Sequence, residues 1–398
     1  MLPVARQALA DALAEHGNPS SLHSAGRAAR SALELSRERL ARTVGADPHE
    51  LVFTGGGTEA DNIAVKGLYW QRHGSDARRV RILAPRTEHH AVLDVIEWLV
   101  AAQGAHWDEV PVDPVGRVRL DRLAELIDVD PGSVALIAVM AASNEVGTTQ
   151  PMADVVALAT EHGIPVHCDA VQAMPWSQLD FAAAGVDTMA LSAHKLGGPV
   201  GVGALLIRRG LDLVPLLHGG GQERQVRSGT VDVAGAASFA AAAHWHEEHR
   251  DEVVERVFGL RQQLVRAVQQ CTPSAHLRGD AAFLAGAAPG EGRLVNNAHF
   301  TFPCCDGDSL LYLLDARGIE VSTGSACQAG LPQPSETLLA MGCSEQESRA
   351  ALRFSLGVSS TYDDVMALAA AIGPVAQRAA NAGLAKVARD ATGTARTG

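Results

Sequence analysis

Apolar segments of strand length alternate with helical segments between Leu51 and Arg209. The strand-like segments are LVFTG (51–55), VRILAP (80–85), VALIAVMAAS (134–143), PVHCDA (165–170), TMALSAH (188–194) and GVGALLIRR (201–209). Helical patterns near 58–72, 90–102 and 151–162 separate the earlier ones. This alternation predicts an α/β domain built on a mostly parallel sheet. The strands are almost continuously apolar, which indicates that helices cover both faces of that sheet.

A second, smaller α/β domain is predicted after a long helical stretch at about 234–270. Its pattern runs strand 294–302, helix 308–318, strand 319–323, helix 335–342, strand 351–357 and a last helix from Tyr362. The length of 398 residues suits two unequal domains. We therefore expect a large domain over 17–250, a small C-terminal domain over 251–385 and a disordered tail over 386–398.

The charge balance argues against nucleic acid and membrane partners. Lys and Arg number 33 against 45 Asp and Glu, and this net charge of −12 gives no general attraction for polyanions. No apolar run approaches the length of a membrane span, and the N-terminus has the pattern of an amphipathic helix rather than of a signal peptide. The 6 cysteines include no CxxC pair, which predicts reduced thiols in the cytoplasm and no metal site.

Polar residues that can do chemistry follow two of the predicted strands. The motif HCDAVQA (167–173) places Asp169 at a strand end, and SAHKLGG (192–198) places Lys195 after the next strand. Open parallel sheets bind their ligands at such strand ends. A buried carboxylate there can hold a positive charge, and a buried lysine can form an imine. The alternative is a salt bridge between these residues at the rim of the sheet.

Two further motifs stand at strand ends. In TGGGTEADN (54–62), the glycines and a helix start predict an anion cradle with the Thr58 hydroxyl in place, and the alternative is a plain tight turn. In TEHHAVLD (87–94), His89 and His90 point in different directions, so that one of them can face a pocket. A purely structural histidine is the alternative for that motif.

The remaining polar motifs point to ligand contacts and to a reactive thiol. SNEVGTTQP offers the Asn144 side chain, and HGGGQERQVRSGT (218–230) predicts a mobile or tightly turned anion-binding loop. In STGSACQAGLPQPS, Cys327 stands among small and polar residues, which predicts an exposed and reactive thiol. In ALRFSLG, Arg353 interrupts an apolar strand and needs an anionic partner such as a carboxylate.

Taken together, the motifs resemble those of a known family. GNPSSLH, TGGGTEADN, TEHH, NEVG, HCDAVQ, SAHK, GGGQERQVRSGT, GSAC and RFSLG occur in this order from about Gly17 to about Thr361. This set is similar to that of the cysteine desulfurases of the NifS/IscS group, within the class V, fold-type I pyridoxal-phosphate enzymes. The resemblance implies a large domain with a mostly parallel seven-stranded sheet, a smaller α/β C-terminal domain and pyridoxal 5′-phosphate as cofactor.

The resemblance also implies a role for each matching residue. Three catalytic residues are implied. Lys195 holds the cofactor and removes the Cα proton, Cys327 receives the sulfur as a persulfide, and His89 stacks on the cofactor ring and assists proton transfer. Asp169 pairs with the pyridinium nitrogen, and Gln172 reaches the ring hydroxyl. The implied cofactor-binding residues are Gly57, Thr58, His89, Asn144, Asp169, Gln172, Ser192, His194, Lys195 and Thr230, the last donated by the neighbouring subunit. The implied substrate-binding residues are Asn18, Asn144 and Arg353.

Three features depart from the family pattern. The family begins with a segment like YLDxAATTP, whereas this chain starts at Met1, where that segment should already have ended. We therefore expect residues 1–16 to form a helix of the small domain, without the family's first strand. Ser143 and Ala193 stand where Asn and Gly are usual. Gln-Ala-Gly follows Cys327, where Thr-Ser-Ala is frequent, and this change can alter the choice of sulfur acceptor.

The implied activity is conversion of L-cysteine to L-alanine in a cytoplasmic homodimer. The implied sulfur acceptor is an iron–sulfur scaffold protein or a tRNA-thiolation enzyme. Another class V enzyme, such as a selenocysteine lyase or an aminotransferase, is one alternative, and a sulfur carrier without catalysis is another. A transaminase needs no nucleophilic thiol, so the GSAC motif favours the desulfurase. The presence of Lys195, Asp169 and Cys327 argues against a carrier without catalysis.

Overall fold

The computed structural model describes residues 1–15, 17–324 and 334–393, with side chains described as far as 382. These residues form two compact units. The first unit comprises Met1–Pro111, Val118–Ala142 and Gln150–Arg250. The second comprises Val112–Arg117, Ser143–Thr149 and the residues from Asp251 onward. Asn144 therefore belongs to the second unit, although the sequence analysis placed it in the large domain.

The first unit alternates helices and strands. Its elements are α1 (Pro3–Ala14), α2 (Ser24–Thr43), β1 (Leu51–Thr54), α3 (Gly57–Ser75), β2 (Arg81–Ala84), α4 (His90–Gln103), β3 (His106–Glu109), α5 (Leu120–Val129), β4 (Val134–Ala138), α6 (Met152–Glu161), β5 (Val166–Asp169), α7 (Phe181–Ala184), β6 (Thr188–Ser192), β7 (Gly203–Ile207) and the first part of α8 (Val233–Cys271). Each strand predicted between 51 and 209 forms, with shorter bounds.

The strands of this unit make one seven-stranded sheet in the described residues, in the order β1-β7-β6-β5-β4-β2-β3. Strand β7 runs antiparallel to β1 and β6, and the remaining pairs are parallel. The prediction of a mostly parallel sheet covered by helices is confirmed. The edge strand β3 was not predicted, because its residues HWDE are exposed or half-buried and lack an apolar pattern.

Small and aliphatic side chains fill the core of the first unit. Leu68 of α3 and Ile96 of α4 pack with Ile82 and Leu136 of the sheet in one fully buried cluster. Burial of such side chains contributes about 1.5–3 kcal/mol each. Helix α4 ends at Gln103, and the capping residue Gly104 adopts a left-handed conformation at φ 70°. This packing fixes the starts of α3 and α4 at the carboxyl edge of the sheet.

The N-terminal helix α1 lies in the first unit, which differs from the predicted place in the small domain. The Leu2 amide donates to the Gly197 carbonyl at 2.7 Å. The Ser238 hydroxyl donates to the Ala5 carbonyl, also at 2.7 Å. Leu2 and Ala5 are buried, so apolar burial and backbone hydrogen bonds both hold the helix there. The sequence pattern showed the helix but not the surface on which it packs.

The second unit contains a small antiparallel sheet. Its elements are the rest of α8, β8 (His276–Arg278), β9 (Asn297–Thr301), α9 (Gly307–Asp315), α10 (Glu336–Ala340), α11 (Glu345–Arg349), β10 (Ala351–Ser355) and α12 (Tyr362–Gly393), with strand order β10-β9-β8. The predicted strand 319–323 is wrong, because only Ser322 pairs there, in an isolated bridge with Arg353. Helix α12 continues into the segment predicted to be disordered, and residues 394–398 lie outside the described residues.

The described residues include no helix that is both long and apolar enough to cross a membrane. In the same residues, no group of three or more His, Cys, Asp or Glu side chains is arranged to hold a metal ion. The cysteines that the structure describes are free thiols. Cys168 is buried, Cys305 and Cys343 are half-buried, and Cys271 and Cys304 are exposed.

Candidate active site

The ends of β5 and β6 bring Asp169 and Lys195 to one edge of the sheet. Asp169 is the last residue of β5 and pairs in register with Ala190 of the parallel neighbour β6. A 3₁₀ turn at Ala193–Leu196 follows β6 and carries Lys195. Lys195 is exposed in this chain, which differs from the buried lysine that the sequence analysis expected. The reason is that it lies on a turn beyond the strand end rather than within the sheet.

Asp169 is a buried carboxyl that calls for a cationic partner. It is 8% exposed, and its Oδ1 accepts a hydrogen bond from the Val171 amide at 2.8 Å. Burial raises its pKa to about 7, and the nearby Asp61 charge raises that pKa further, while the Val171 hydrogen bond and His89 lower it. A cation brought against Asp169 would favour its charged form. The site is therefore suited to hold a protonated ring nitrogen.

His89 is the N-cap residue of α4 and lies in the site with Asp169 and Lys195. Its Nδ1 accepts a hydrogen bond from the Ala91 amide at 3.1 Å, so this nitrogen is unprotonated. Although the residue is open to solvent, the surrounding protein desolvates it and lowers its pKa. The Asp169 charge opposes this lowering, and the Lys195 charge adds to it. A neutral imidazole with an accessible ring is suited to stack on a planar ligand.

The start of α3 forms an anion cradle. Its N-cap residue, Gly56, has φ 147°, and no side chain of the described residues caps this terminus. The first-turn amides of such a helix are available to an anion. A Cβ atom at Gly57 would lie 2.8 Å from Cγ2 of Val171 and 3.5 Å from Cβ of Ser192. The helix start thus lies directly against the strand ends, and exposed Thr58 is in its first turn.

Ser192 and His194 complete the polar side of this cradle. The Ser192 hydroxyl lies 2.8 Å from Nδ1 of His194. Desolvation, and then the Lys195 charge, lower the pKa of His194. A phosphate group brought to the cradle would meet a helix terminus, a hydroxyl and an imidazole. These groups fit the phosphate of the cofactor that the sequence motifs imply.

A buried polar group, which the sequence analysis did not single out, supports this edge. Nε2 of His167 lies 3.1 Å from Oδ1 of Asp61, and Nδ1 of His167 lies 2.9 Å from Oγ1 of Thr188. Glu88 is also buried, and its Oε1 accepts from the Met140 amide at 2.6 Å. Asp61, Glu88 and His167 belong to three of the motifs quoted above, close in sequence to predicted site residues. The signal that could have identified these buried residues is a polar side chain within an otherwise apolar strand or helix.

Several predicted site residues lie apart from these contacts or are held locally. Oδ1 of Asn18 accepts a hydrogen bond from the Ser20 amide at 2.9 Å, within its own exposed turn. Gln172 is half-buried in the turn after β5, and Thr230 is exposed. In the predicted anion-binding loop, Arg227 is already paired with Glu59 of α3 at 2.8 Å. Cys327 lies outside the described residues.

Arg353 and Asn144 come together within the second unit. Nη1 of Arg353 donates to the backbone carbonyl of Asn144 at 2.9 Å. Nε of Arg353 is buried and has no hydrogen-bond partner among the described residues. Burial lowers the pKa of Arg353, whereas the Glu145 charge raises it. A guanidinium with unused hydrogen-bonding capacity is suited to bind a carboxylate.

The chain is similar to known proteins over most of its length. Residues 3–368 match the family "Aminotransferase class-V". The IscS-like cysteine desulfurase of Mycobacterium tuberculosis is 47% identical over 97% of this chain and 96% of its own length. The IscS cysteine desulfurase of Dictyoglomus turgidum is 38% identical over 88% of this chain and 84% of its own length. A solved NifS-like protein is 33% identical and superimposes with a TM-score of 0.83 over 94% of both chains.

These matches extend over residues of both units. They confirm the expected fold-type I architecture and do not favour the aminotransferase or selenocysteine lyase alternative. The chain belongs to the class V aminotransferase family, among its IscS-like cysteine desulfurases.

Proposed function

We propose that this chain uses pyridoxal 5′-phosphate to convert L-cysteine to L-alanine and transfers the sulfur to Cys327 as a persulfide. The observation that carries the proposal is the meeting of Asp169, His89 and Lys195 beside the anion cradle of α3. This cofactor requires four groups: an acidic group for its ring nitrogen, an accessible neutral imidazole, an amine and a phosphate cradle.

The proposed cofactor contacts follow from the chemistry of each group. Gly57, Thr58, Ser192 and His194 would hold the phosphate, with Thr230 added from a second copy of the chain. Asp169 would hold the ring nitrogen, Gln172 the ring hydroxyl, and His89 the ring face, while Asn144 completes the set. Lys195 would attach the cofactor through its amine. When bound, pyridoxal phosphate withdraws electrons from the substrate's Cα and so weakens the Cβ–S bond.

The residues of the chain perform the remaining steps. Arg353, with Asn18 and Asn144, would bind the substrate carboxylate. The Lys195 amine takes the Cα proton as a general base and returns protons to the three-carbon product. The Cys327 thiolate attacks the substrate sulfur, and the electron pair of the Cβ–S bond stays with Cβ. The balance is one cysteine and one protein thiol giving one alanine and one protein persulfide.

The expected setting of this activity is a cytoplasmic homodimer. Thr230 is exposed here, as expected for a residue offered to a second copy. The sulfur acceptor we propose is a protein, either an iron–sulfur scaffold or a tRNA-thiolation enzyme. The net charge of −12 favours a protein acceptor over direct contact with RNA.

The experiment mixes the purified chain with pyridoxal phosphate and L-cysteine and measures alanine and sulfide in the presence of a thiol reductant. We expect equal amounts of both products, none from Lys195→Ala, and unchanged turnover from Lys66→Ala, a lysine that packs on the Trp98 ring instead. Cys327→Ser should stop alanine formation. Alanine formation that survives Cys327→Ser unchanged would contradict the persulfide role, and turnover by Lys195→Ala would contradict the assignment of the amine.

A further inference from the structure

Glu145 gathers hydrogen bonds from residues far away in the chain. Its Oε2 accepts from the Ser335 hydroxyl at 2.6 Å, and its Oε1 accepts from the Thr337 hydroxyl at 3.1 Å. Ser335 is 0% exposed, Thr337 2% and Glu145 9%. Hydrogen bonds to a buried carboxylate are about twice as strong as neutral ones. Both oxygens of one carboxylate are thus committed to the short stretch that begins α10.

A second stretch of chain, at Gly324, packs closely against the same carboxylate. Gly324 has φ 78°, and a Cβ atom at this position would lie 3.1 Å from Oε2 of Glu145 and 3.1 Å from Nε2 of His299. Glycine is therefore required here both by the left-handed backbone and by the close approach. Gly324 immediately precedes segment 325–333, and Ser335 lies just after it. The described residues on both sides of that segment converge on Glu145.

Glu145 is itself firmly held. Its amide donates to the Ser143 hydroxyl at 3.3 Å, and its carbonyl accepts from the Asn297 side chain at 2.8 Å. The next residue, Val146, packs in a buried cluster with Leu338 of α10. The carboxylate therefore has little freedom to follow its partners. Glu145 thus holds Ser335 and Thr337 in place.

Ser335 also serves the helix that follows. Its hydroxyl oxygen accepts from the Leu338 amide at 3.1 Å and so caps the N-terminus of α10 while it donates to Glu145. His299, on the other side of Gly324, is fully buried, and both of its ring nitrogens lack a hydrogen-bond partner in the described residues. Burial lowers the pKa of His299 to about 3. The uncharged imidazole of His299 therefore packs against Gly324.

We propose that Glu145 is a positioning residue for sulfur transfer, because described residues on both sides of the segment carrying Cys327 lie against its carboxylate. Ser335 and Thr337 donate hydrogen bonds to it, and Gly324 packs closely against it. Glu145 does not act on the substrate in this account. It fixes the positions of Gly324 and Ser335, the described residues on either side of that segment. The inference rests on the proposed role of Cys327, but the geometry at Glu145 is independent of the cofactor.

The test compares Glu145→Ala, Ser335→Ala and Thr337→Ala in the holoenzyme. The matched control is Ser344→Ala, which removes the N-cap of the adjacent helix α11 without touching Glu145. Two quantities are measured: the rate of iodoacetamide alkylation at Cys327, with exposed Cys304 as internal reference, and the yield of persulfide at Cys327 in a single turnover. The absorbance change when cysteine binds monitors the steps before sulfur transfer.

We expect Glu145→Ala and Ser335→Ala to alkylate about tenfold faster at Cys327, since each loses a hydrogen bond to a charged group. Persulfide formation should slow by about tenfold, with alkylation at Cys304 and the cysteine-induced absorbance change retained. Thr337→Ala should show a smaller effect, and Ser344→Ala none. Ser335→Ala and Thr337→Ala each remove only one of the two hydroxyl contacts to Glu145, and Ser344→Ala controls for the lost helix cap. These variants keep the test decisive if Glu145→Ala does not fold.

Two results would overturn the inference. One is alkylation and persulfide formation at Cys327 within about twofold of the unsubstituted chain in both Glu145→Ala and Ser335→Ala. The other is an equal effect from Ser344→Ala, which would point to general loosening of the helices. A failure of the proposed function looks different: the unsubstituted chain then forms no persulfide at Cys327, while the alkylation rates still decide the role of Glu145.

Discussion

Oδ1 of Asp61 lies 3.1 Å from Nε2 of His167, and both side chains are fully buried. His167 stands two residues before Asp169 on β5, so the alternation of a strand places both side chains on the same face of the sheet. The Asp61 charge is one of the causes that raise the pKa of Asp169. This pair therefore adjusts the charge of the residue proposed to meet the cofactor ring.

Asp61→Asn should make stability less dependent on pH above neutrality. Burial raises the pKa of Asp61 from 3.8 to about 8, so the folded chain holds a proton there that the unfolded chain releases. The free energy of unfolding then falls as pH rises between these two pKa values, by at most about 1.4 kcal/mol per pH unit for one group. Burial lowers the pKa of His167 from 6.5 to about 4, which gives the opposite slope below pH 6.5.

Urea unfolding between pH 7 and pH 8 mainly reports the carboxyl contribution, because there folded His167 is neutral and unfolded His167 has lost most of its proton. The unsubstituted chain should lose more stability than Asp61→Asn over this range. Parallel curves for the two proteins would show that Asp61 does not titrate as its burial requires.

Gly57→Ala should weaken the anion cradle. The added methyl group would lie 2.8 Å from Cγ2 of Val171, at the start of α3. Overpacking of this kind costs about 1–3 kcal/mol, and it also pushes the helix start away from the strand ends. We expect weaker binding of pyridoxal phosphate, measured by fluorescence titration, together with lower stability in urea.

Gly74→Ala is the matched control on the same helix, because a Cβ atom there meets nothing within 4 Å. Alanine is the better helix former by up to about 1 kcal/mol, so this variant should keep full cofactor affinity and be no less stable. Equal effects of the two substitutions on cofactor binding would contradict a specific role for the space at Gly57.

Glu223→Ala should destabilise the first unit strongly. Glu223 accepts from both terminal nitrogens of Arg37, at 2.9 and 2.6 Å, and from the Phe53 amide at 2.7 Å. Its side chain is 2% exposed, so the substitution leaves the Phe53 amide unpaired and removes the buried carboxylate partner of Arg37. Within the described residues, the guanidinium then keeps only its hydrogen bonds to Glu34 and the Leu51 carbonyl. Breaking such a buried pair costs about 3–5 kcal/mol. The midpoint of urea unfolding measures the loss.

Glu345→Ala provides the comparison for a surface pair, since Glu345 and its partner Arg349 are 66% and 41% exposed. We expect little change from it. A loss in Glu223→Ala no larger than this control would mean that the loop is not anchored through Glu223. The loop needs an anchor because Glu223, Arg224 and Gln225 have φ values of 42°, 54° and 64°, a left-handed run that only tertiary contacts can maintain.

The sheet could be predicted from sequence because burial on both faces leaves long apolar runs, as in β4 and β7. The edge strand β3 could not, because half of an edge strand faces solvent and its residues carry no apolar pattern. The place of α1 was missed for a different reason. A helical pattern shows which face is apolar, but not which surface covers it.

Some contacts of the candidate site could likewise be predicted from sequence, and others could not. Asp169 and Lys195 could be predicted because parallel strands end at one edge, and polar residues after apolar runs mark that edge. The Glu145 contacts could not, because Ser335 is 190 residues away in the chain, and no local pattern records such a pairing. The exposure of Lys195 also depends on the turn geometry after β6, which the motif alone does not specify.

The most direct test of the central claim locates the sulfur itself. The holoenzyme is mixed with L-cysteine without an acceptor or reductant, the thiols are trapped with iodoacetamide, and the peptides are identified by mass. The account predicts one added sulfur atom on the Cys327 peptide, none on the Cys304 peptide, and none anywhere in Lys195→Ala. Alanine formation with the added sulfur on another cysteine, or with none on Cys327, would contradict it.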